Sequence, residues 1–211
     1  MPHLLELFKG TGSIGKAFEA RGWRVTSVDV DARFNPTICC DVLQLKREVI
    51  EGQVDLIWAS PPCTHYSIAR SRAKTPRDLE GSDKLVRKVL ELADELWCYY
   101  LFENPFTGLL KGRQVVAGIP LRVVDYCSYG APYRKRTGIW TNSPWTPARP
   151  LCAYQCAATA AGKKKHMSRA QQGCGDAYGG RRNSLEELYS IPAELCEELA
   201  EWATKTLVSP E

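Results

Sequence analysis

The 211-residue chain lacks any apolar run of membrane-spanning length, and no leader of secretory type stands before Leu4-Leu5-Glu6-Leu7-Phe8. The first absence argues against a membrane-spanning helix and a membrane partner. The second predicts an intracellular protein. Internal repeats are missing, which excludes a solenoid or propeller. A strong charge of one sign is missing too: 28 Lys and Arg against 24 Asp and Glu leave +4. So mild an excess does not name a nucleic-acid partner by itself. An even cysteine count is also absent. There are nine, mostly in apolar surroundings, which predicts free thiols in a reducing compartment.

What is there suffices for one large domain with a proper core: 44% hydrophobic and 25% charged residues. The basic residues are clustered as Arg134-Lys135-Arg136, Lys163-Lys164-Lys165-His166 and Arg181-Arg182. One such cluster is ordinarily a solvated face. Three in the last third, close to aromatics and glycines, point to phosphate contacts.

Short apolar strands are expected at Leu4 to Phe8, Arg24 to Val30, Thr37 to Cys40, Val54 to Ala59 and Trp97 to Phe102. Arg122 to Cys127 and Thr137 to Thr141 are later candidates. A helix is expected from Ile14 to Arg21. A second, capped by Ser82, runs from Asp83 to about Trp97 with one apolar stripe. Ser184 with Glu187 spells a capping box, and a last helix runs from Pro192 to about Leu207. Alternating strands and helices predict an α/β fold with a parallel sheet covered on both faces. Residues 142–183, rich in Pro, Gly, Ala, Cys and basic residues, read as an insert. The stretch from Thr64 to Ser82 reads as a mobile loop.

Gly10-x-Gly12-x-x-Gly15 between a strand and a helix is a dinucleotide-type turn. Nicotinamide, flavin and S-adenosylmethionine proteins all use versions of it, and a purely structural glycine turn looks the same. Asp29 closes the next strand where an acid can bind ribose hydroxyls. Asp41 suits an adenine amino group or a simple turn equally. Ser60-Pro61-Pro62-Cys63 places a thiol on a stiff turn beyond a strand. Most cysteines are structural, but here the turn exposes the sulfur, and a following helix amino end would lower its pKa. Glu103, at the end of an apolar strand, is costly unless paired or protonated, and a protonated carboxyl is a proton donor.

Gly10 to Gly15, Asp29, Asp41, Pro62-Cys63, Glu103-Asn104 and Gly130-Ala131-Pro132 with Arg134-x-Arg136 stand in one order and spacing. In that ordered set the chain resembles the DNA cytosine-5 methyltransferases, over residues 4 to about 141 and more loosely in the final helix. The resemblance implies a Rossmann-like, class I S-adenosylmethionine-dependent fold with a mostly parallel seven-stranded sheet. It implies a catalytic region 1–141, a small recognition insert 142–183 and C-terminal helices 184–211 that pack back. Cys63 resembles the nucleophile that adds to cytosine carbon 6. Glu103 resembles the acid on ring nitrogen 3, and Asn104 the residue that orients the turn. Arg134 and Arg136 resemble the pair that contacts the base carbonyl, the phosphate or the cysteine-bearing loop. S-adenosylmethionine would lie against Phe8, Gly10, Thr11, Gly12, Ser13, Ile14 and Gly15, with Asp29 on its ribose. Val30 would pack on the adenine and Asp41 stand at its edge, with Val42, Ser60 and Pro61 also among the cofactor contacts.

The chain departs from the family pattern in three places. Pro105 stands where valine is usual. Tyr133 replaces a glutamine, with one residue fewer before the arginines, so Lys135 is a further candidate for their role. The insert is about forty residues, far shorter than an ordinary recognition domain, which suggests loose site choice or a partner. DNA is the expected partner; RNA and a non-catalytic nucleic-acid-binding subunit are alternatives, with nicotinamide chemistry behind them. Ser60-Pro61-Pro62 also matches amino-methyltransferases, where an aromatic stacks on the base; Tyr66 is the nearest one here. Finally, Cys152, Cys156, His166 and Cys174 have the content of a structural zinc site, or of unligated thiols in a basic loop.

Overall fold

The computed structural model describes residues 1–171 and 183–208. Its strands are β1 (His3–Leu7), β2 (Arg24–Asp29), β3 (Ile38–Cys39), β4 (Leu56–Ala59), β5 (Tyr99–Pro105), β6 (Leu121–Asp125) and β7 (Arg136–Thr141). Its helices are α1 (Ser13–Glu19), α2 (Leu79–Leu96), α3 (Leu185–Tyr189) and α4 (Ala193–Leu207). The strands make one sheet in the order β3-β2-β1-β4-β5-β7-β6. The pairs from β3 to β5 are parallel, and β7 runs antiparallel to both of its neighbours. The expected mostly parallel, Rossmann-like sheet is therefore the observed one.

Strand alternation divides the core between the two faces. Leu5, Leu7, Ile57, Ala59, Tyr100, Phe102 and Trp140 pack with Val86, Val89, Leu92 and Leu96 of α2. Leu4, Leu56, Trp58, Leu101 and Ile139 pack with Ile14 and Phe18 of α1 and with Leu195, Leu199 and Ala203 of α4. Each fully buried leucine or isoleucine contributes about 1.5–3 kcal/mol, so these clusters fix the strand register. Phe102 and Trp140 add a stacked pair, with centroids 5.6 Å apart and rings inclined by 7°. Trp23 Nε1 donates to Thr204 Oγ1 over 2.8 Å and ties α4 beside α1.

Two expectations shift. Helix α2 begins at Leu79, not Asp83, because Asp78 is the cap: its Oδ1 accepts from the Gly81 N–H over 2.7 Å. Ser82 lies inside the helix, its hydroxyl donating to the Asp78 carbonyl. Short 3-10 turns, not helices, carry the chain from β3 to β4 and from β5 to β6. The Ser184–Glu187 capping box is present, and α4 starts just past Pro192. No helix among the described residues is long and apolar enough to cross a membrane.

Candidate active site

Because β1, β2, β4 and β5 run parallel, their carboxyl ends share one edge of the sheet, where open α/β folds bind ligands. The turn after β1 is built for close approach. Gly10 and Gly12 have φ of 49° and 66°, a region glycine enters without cost. Phe8 also sits at positive φ, 57°, a strain of about 1 kcal/mol at a non-glycine residue. The Gly10 N–H donates to Asp29 Oδ2 and the Asp31 N–H to Asp29 Oδ1, each over 2.9 Å. Asp29 thus fastens the glycine turn to the end of β2. Val30 beside it is 72% exposed, a flat apolar face next to an acid. Thr11 and Ser13 join their hydroxyls over 2.8 Å, and Ser190 reaches Thr11 from the link between α3 and α4. An acid, an apolar face and a glycine turn at one sheet edge fit an adenosyl group.

The remaining residues of the expected cofactor set fall in different settings. Ile14 and Gly15 are buried in α1, and Val42 is buried in the core. Asp41 caps the 3-10 turn Val42–Gln44, its Oδ1 accepting from the Leu43 N–H. The Ser60 N–H donates to the Leu7 carbonyl, and its hydroxyl accepts from Trp58 Nε1. Glu6 was not singled out by the sequence reading, although an acid inside Leu-Glu-Leu is a signal. Its Oε1 accepts from the Gly15 N–H over 3.0 Å, and burial pushes its pKa up to about 7. A Cβ on residue 15 would lie 2.6 Å from Glu6 Oε2, so the third glycine serves this helix–strand contact.

Cys63 follows β4, and Glu103 stands one residue past Phe102, which pairs with the last residue of β4. Asn104 is fully buried and its Nδ2 donates to the Pro61 carbonyl over 2.9 Å, which ties the cysteine turn to β5. Glu103 Oε2 is buried with no hydrogen-bond partner among the described residues. A buried orphan oxygen is expensive in an apolar setting, and functional sites are where such atoms persist. Burial raises the Glu103 pKa, and the Lys135 charge partly offsets this. Burial likewise raises the Cys63 thiol, the Glu103 charge adds to it, and Lys135 opposes both. The expected lowering by a helix amino end is overturned. Residues 64–78, with the 3-10 turn Ile68–Arg72, intervene before α2 begins, and burial dominates at the sulfur.

Lys135 is the cation whose charge acts on both groups. Its Nζ donates to the Leu188 carbonyl over 3.2 Å and lies 4.9 Å from the centre of the Tyr126 ring. Arg136 is held elsewhere, in a two-pronged ion pair with buried Asp125 at 3.0 and 2.7 Å. Arg134 places its guanidinium 5.0 Å from the Tyr154 ring centre. With Arg136 held by Asp125 and Arg134 over Tyr154, Lys135 is the cation of this run whose charge acts on Glu103. Tyr66 is fully buried, its hydroxyl donating to Asp83 Oδ1 over 2.7 Å, and Arg113 grips the same carboxylate. It is a core residue and cannot stack on a base, which removes the amino-methyltransferase reading. Farther along, Cys152, Cys156 and His166 come together as expected, joined by Cys127. Cys174 lies outside the described residues.

No family model matches the chain. A protein of Frog virus 3 (isolate Goorha), named "Probable DNA (cytosine-5)-methyltransferase", is 32% identical over 219 residues, which is 93% of this chain and 97% of that protein. Among solved structures, a protein described as a DNA modification methyltransferase encoded within an Escherichia coli prophage superposes with a TM-score of 0.50. That pair is 22% identical over 67% of this chain and 46% of the other, and shows the fold alone. With full-length similarity to the viral relative and the glycine turn, Cys63 and Glu103 on one sheet edge, the chain belongs to the DNA (cytosine-5)-methyltransferase family.

Proposed function

We propose that this chain transfers a methyl group from S-adenosylmethionine to carbon 5 of cytosine in DNA, with Cys63 as covalent nucleophile. The observation that carries the reading is the grouping of the Cys63 thiol, the Glu103 carboxyl with its buried Oε2 unpartnered among the described residues, and Lys135. S-adenosylmethionine, held by the glycine turn, Asp29 and Val30, supplies the electrophilic methyl. Carbon 5 of cytosine is too weak a nucleophile on its own. The Cys63 sulfur, as thiolate, bonds to carbon 6 while protonated Glu103 donates to ring nitrogen 3. The ring becomes an enamine, and carbon 5 takes the methyl. The donor would leave as S-adenosylhomocysteine; water then takes the carbon 5 proton as the Cys63 thiolate is expelled, and ring nitrogen 3 returns its proton to Glu103.

The raised Glu103 pKa suits this sequence of events, whereas the raised Cys63 thiol must be offset before the sulfur attacks. A protonated Glu103 is the form that donates, and it also lifts its own charge from the sulfur. Lys135 steadies the thiolate that forms, and Asn104 holds the turn that carries it. The target base must leave the stack to reach this edge, and the stretch from Thr64 to Ser82 is read as the segment that closes over it. The basic run Lys163-Lys164-Lys165 belongs to the nucleic-acid contact. Methyl transfer measured on duplex DNA, single-stranded DNA and structured RNA tests the reading. Transfer to carbon 5 of cytosine in DNA supports it. Transfer to RNA alone, or to an exocyclic nitrogen, overturns it.

A further inference from the structure

The cysteines away from the active site form a group of their own. We propose that Cys127, Cys152, Cys156 and His166 bind one Zn²⁺ that staples the basic insert to the catalytic sheet. The four ligand atoms lie within 4.8 Å of one another. Cys152 Sγ is 3.6 Å from Cys156 Sγ, and each of these sulfurs is 3.4 Å from His166 Nε2. A tetrahedral zinc with bonds of about 2.3 Å to sulfur and about 2.0 Å to nitrogen has edges of about 3.8 Å (S–S) and about 3.5 Å (S–N). The three observed edges agree with that tetrahedron to within ~0.2 Å. Three thiolates and one imidazole, all from protein, are a closed, soft set of the structural zinc type.

The chain is arranged to present these atoms. Cys127 comes from the 3-10 turn Tyr126–Tyr129, which leaves β6 inside the catalytic region. The Cys152 N–H donates to Asp125 Oδ2 over 3.0 Å, so the same carboxylate that grips Arg136 also places the second ligand. A short antiparallel bridge between Thr159 and His166, flanked by Met167 N–H to Ala158 and Ala160 N–H to Lys165, turns the imidazole back toward Cys156. The Tyr154 N–H donates to Cys152 Sγ over 3.3 Å. Packing alone does little for this segment. Between residues 146 and 171 only Ala158, His166 and Ser168 are buried, and just one of them is apolar. A metal supplies the ordering energy that such a segment cannot draw from a core.

The staple reaches the nucleic-acid side of the molecule. The Tyr154 ring lies 5.4 Å from the His166 ring and beneath the Arg134 guanidinium, so the ligand sphere sets the ring on which Arg134 rests. The ligand set shares no residue with the methyl-transfer site, so either proposal can fail without the other. Elemental analysis of the purified full chain is expected to find about one zinc per molecule. Cys127→Ser and Cys156→Ser are expected to lose it, while Cys98→Ser keeps it. Should those variants not fold, the unaltered chain carries the test through Co²⁺ exchange. The expected spectrum has thiolate-to-cobalt charge transfer and the visible bands of a tetrahedral site. A purified chain without zinc that shows no such bands after Co²⁺ loading overturns the site. Full zinc in a folded Cys127→Ser overturns this ligand set.

Discussion

Cys63 and Cys127 both sit in turns just past a strand of the same sheet, yet their neighbours give them opposite characters. Among the described residues no other thiol acts on the Cys63 sulfur. It faces one carboxyl and one ammonium, and it is held by a buried amide on the far side of its turn. Cys127 stands within reach of two thiols and an imidazole. The first arrangement leaves a single sulfur to make and break a bond. The second gathers sulfurs that share one cation. Their supporting structure differs as well. The Cys63 turn rests on strands whose residues fill two apolar clusters, whereas the segment carrying Cys152 and Cys156 has almost no core. Residue type sets what a cysteine can do; the neighbours decide which of those things it does.

The comparison breaks most visibly at the reactive sulfur. Cys63→Ala is expected to lower the rate of methyl transfer by about 10⁴-fold or more, the scale seen when a covalent nucleophile is removed. Donor binding, read by calorimetry, should survive. Glu103→Gln is expected to cost about 10²–10³-fold in kcat, because an amide keeps the shape and loses the proton. A variant retaining more than a tenth of the parental rate would deny the carboxyl its role.

Glu6 sharpens the contrast between a carboxyl that reacts and one that packs. Its pKa is about 7 when folded, against about 4.5 unfolded. The folded state therefore holds this proton more tightly, and its contribution is complete below about pH 4.5. It is lost as pH rises from there to about 7, amounting to about 3 kcal/mol. Glu6→Gln removes that slope, so its Tm relative to the parent should rise between pH 5 and pH 8. Parallel Tm curves would contradict the buried, protonated acid. The smallest effect is expected at Lys135. Its charge lowers the pKa of both Cys63 and Glu103, so Lys135→Met should move the ascending limb of kcat/KM to higher pH. About a tenfold loss at neutral pH should accompany the shift. An unmoved profile would return the role to Arg134 or Arg136.

Much of this was legible in the chain before folding was considered. Short apolar runs set the strands, because each must bury residues on both faces. The glycine turn, the prolyl turn at Cys63 and the Glu103-Asn104 pair announced the edge at which they meet. What was hidden depended on contacts distant in sequence. The choice of Lys135 over its arginine neighbours follows from Asp125 capturing Arg136 and from Arg134 resting on Tyr154. Cys127 joins Cys152 only because β6 and β7 bring their shared turn beside the insert. The cap of α2 escaped because Asp78 and Ser82 are both good capping residues, and only the Gly81 N–H distinguishes them.

The central claim concerns the bond between the Cys63 sulfur and cytosine carbon 6. An oligonucleotide carrying 5-fluorocytosine tests it directly, since fluorine at carbon 5 blocks the elimination that frees the enzyme. A covalent complex that needs S-adenosylmethionine, maps to the peptide containing Cys63 and vanishes in Cys63→Ala is the predicted result. A complex that persists in Cys63→Ala, or an active enzyme that forms none, would contradict it.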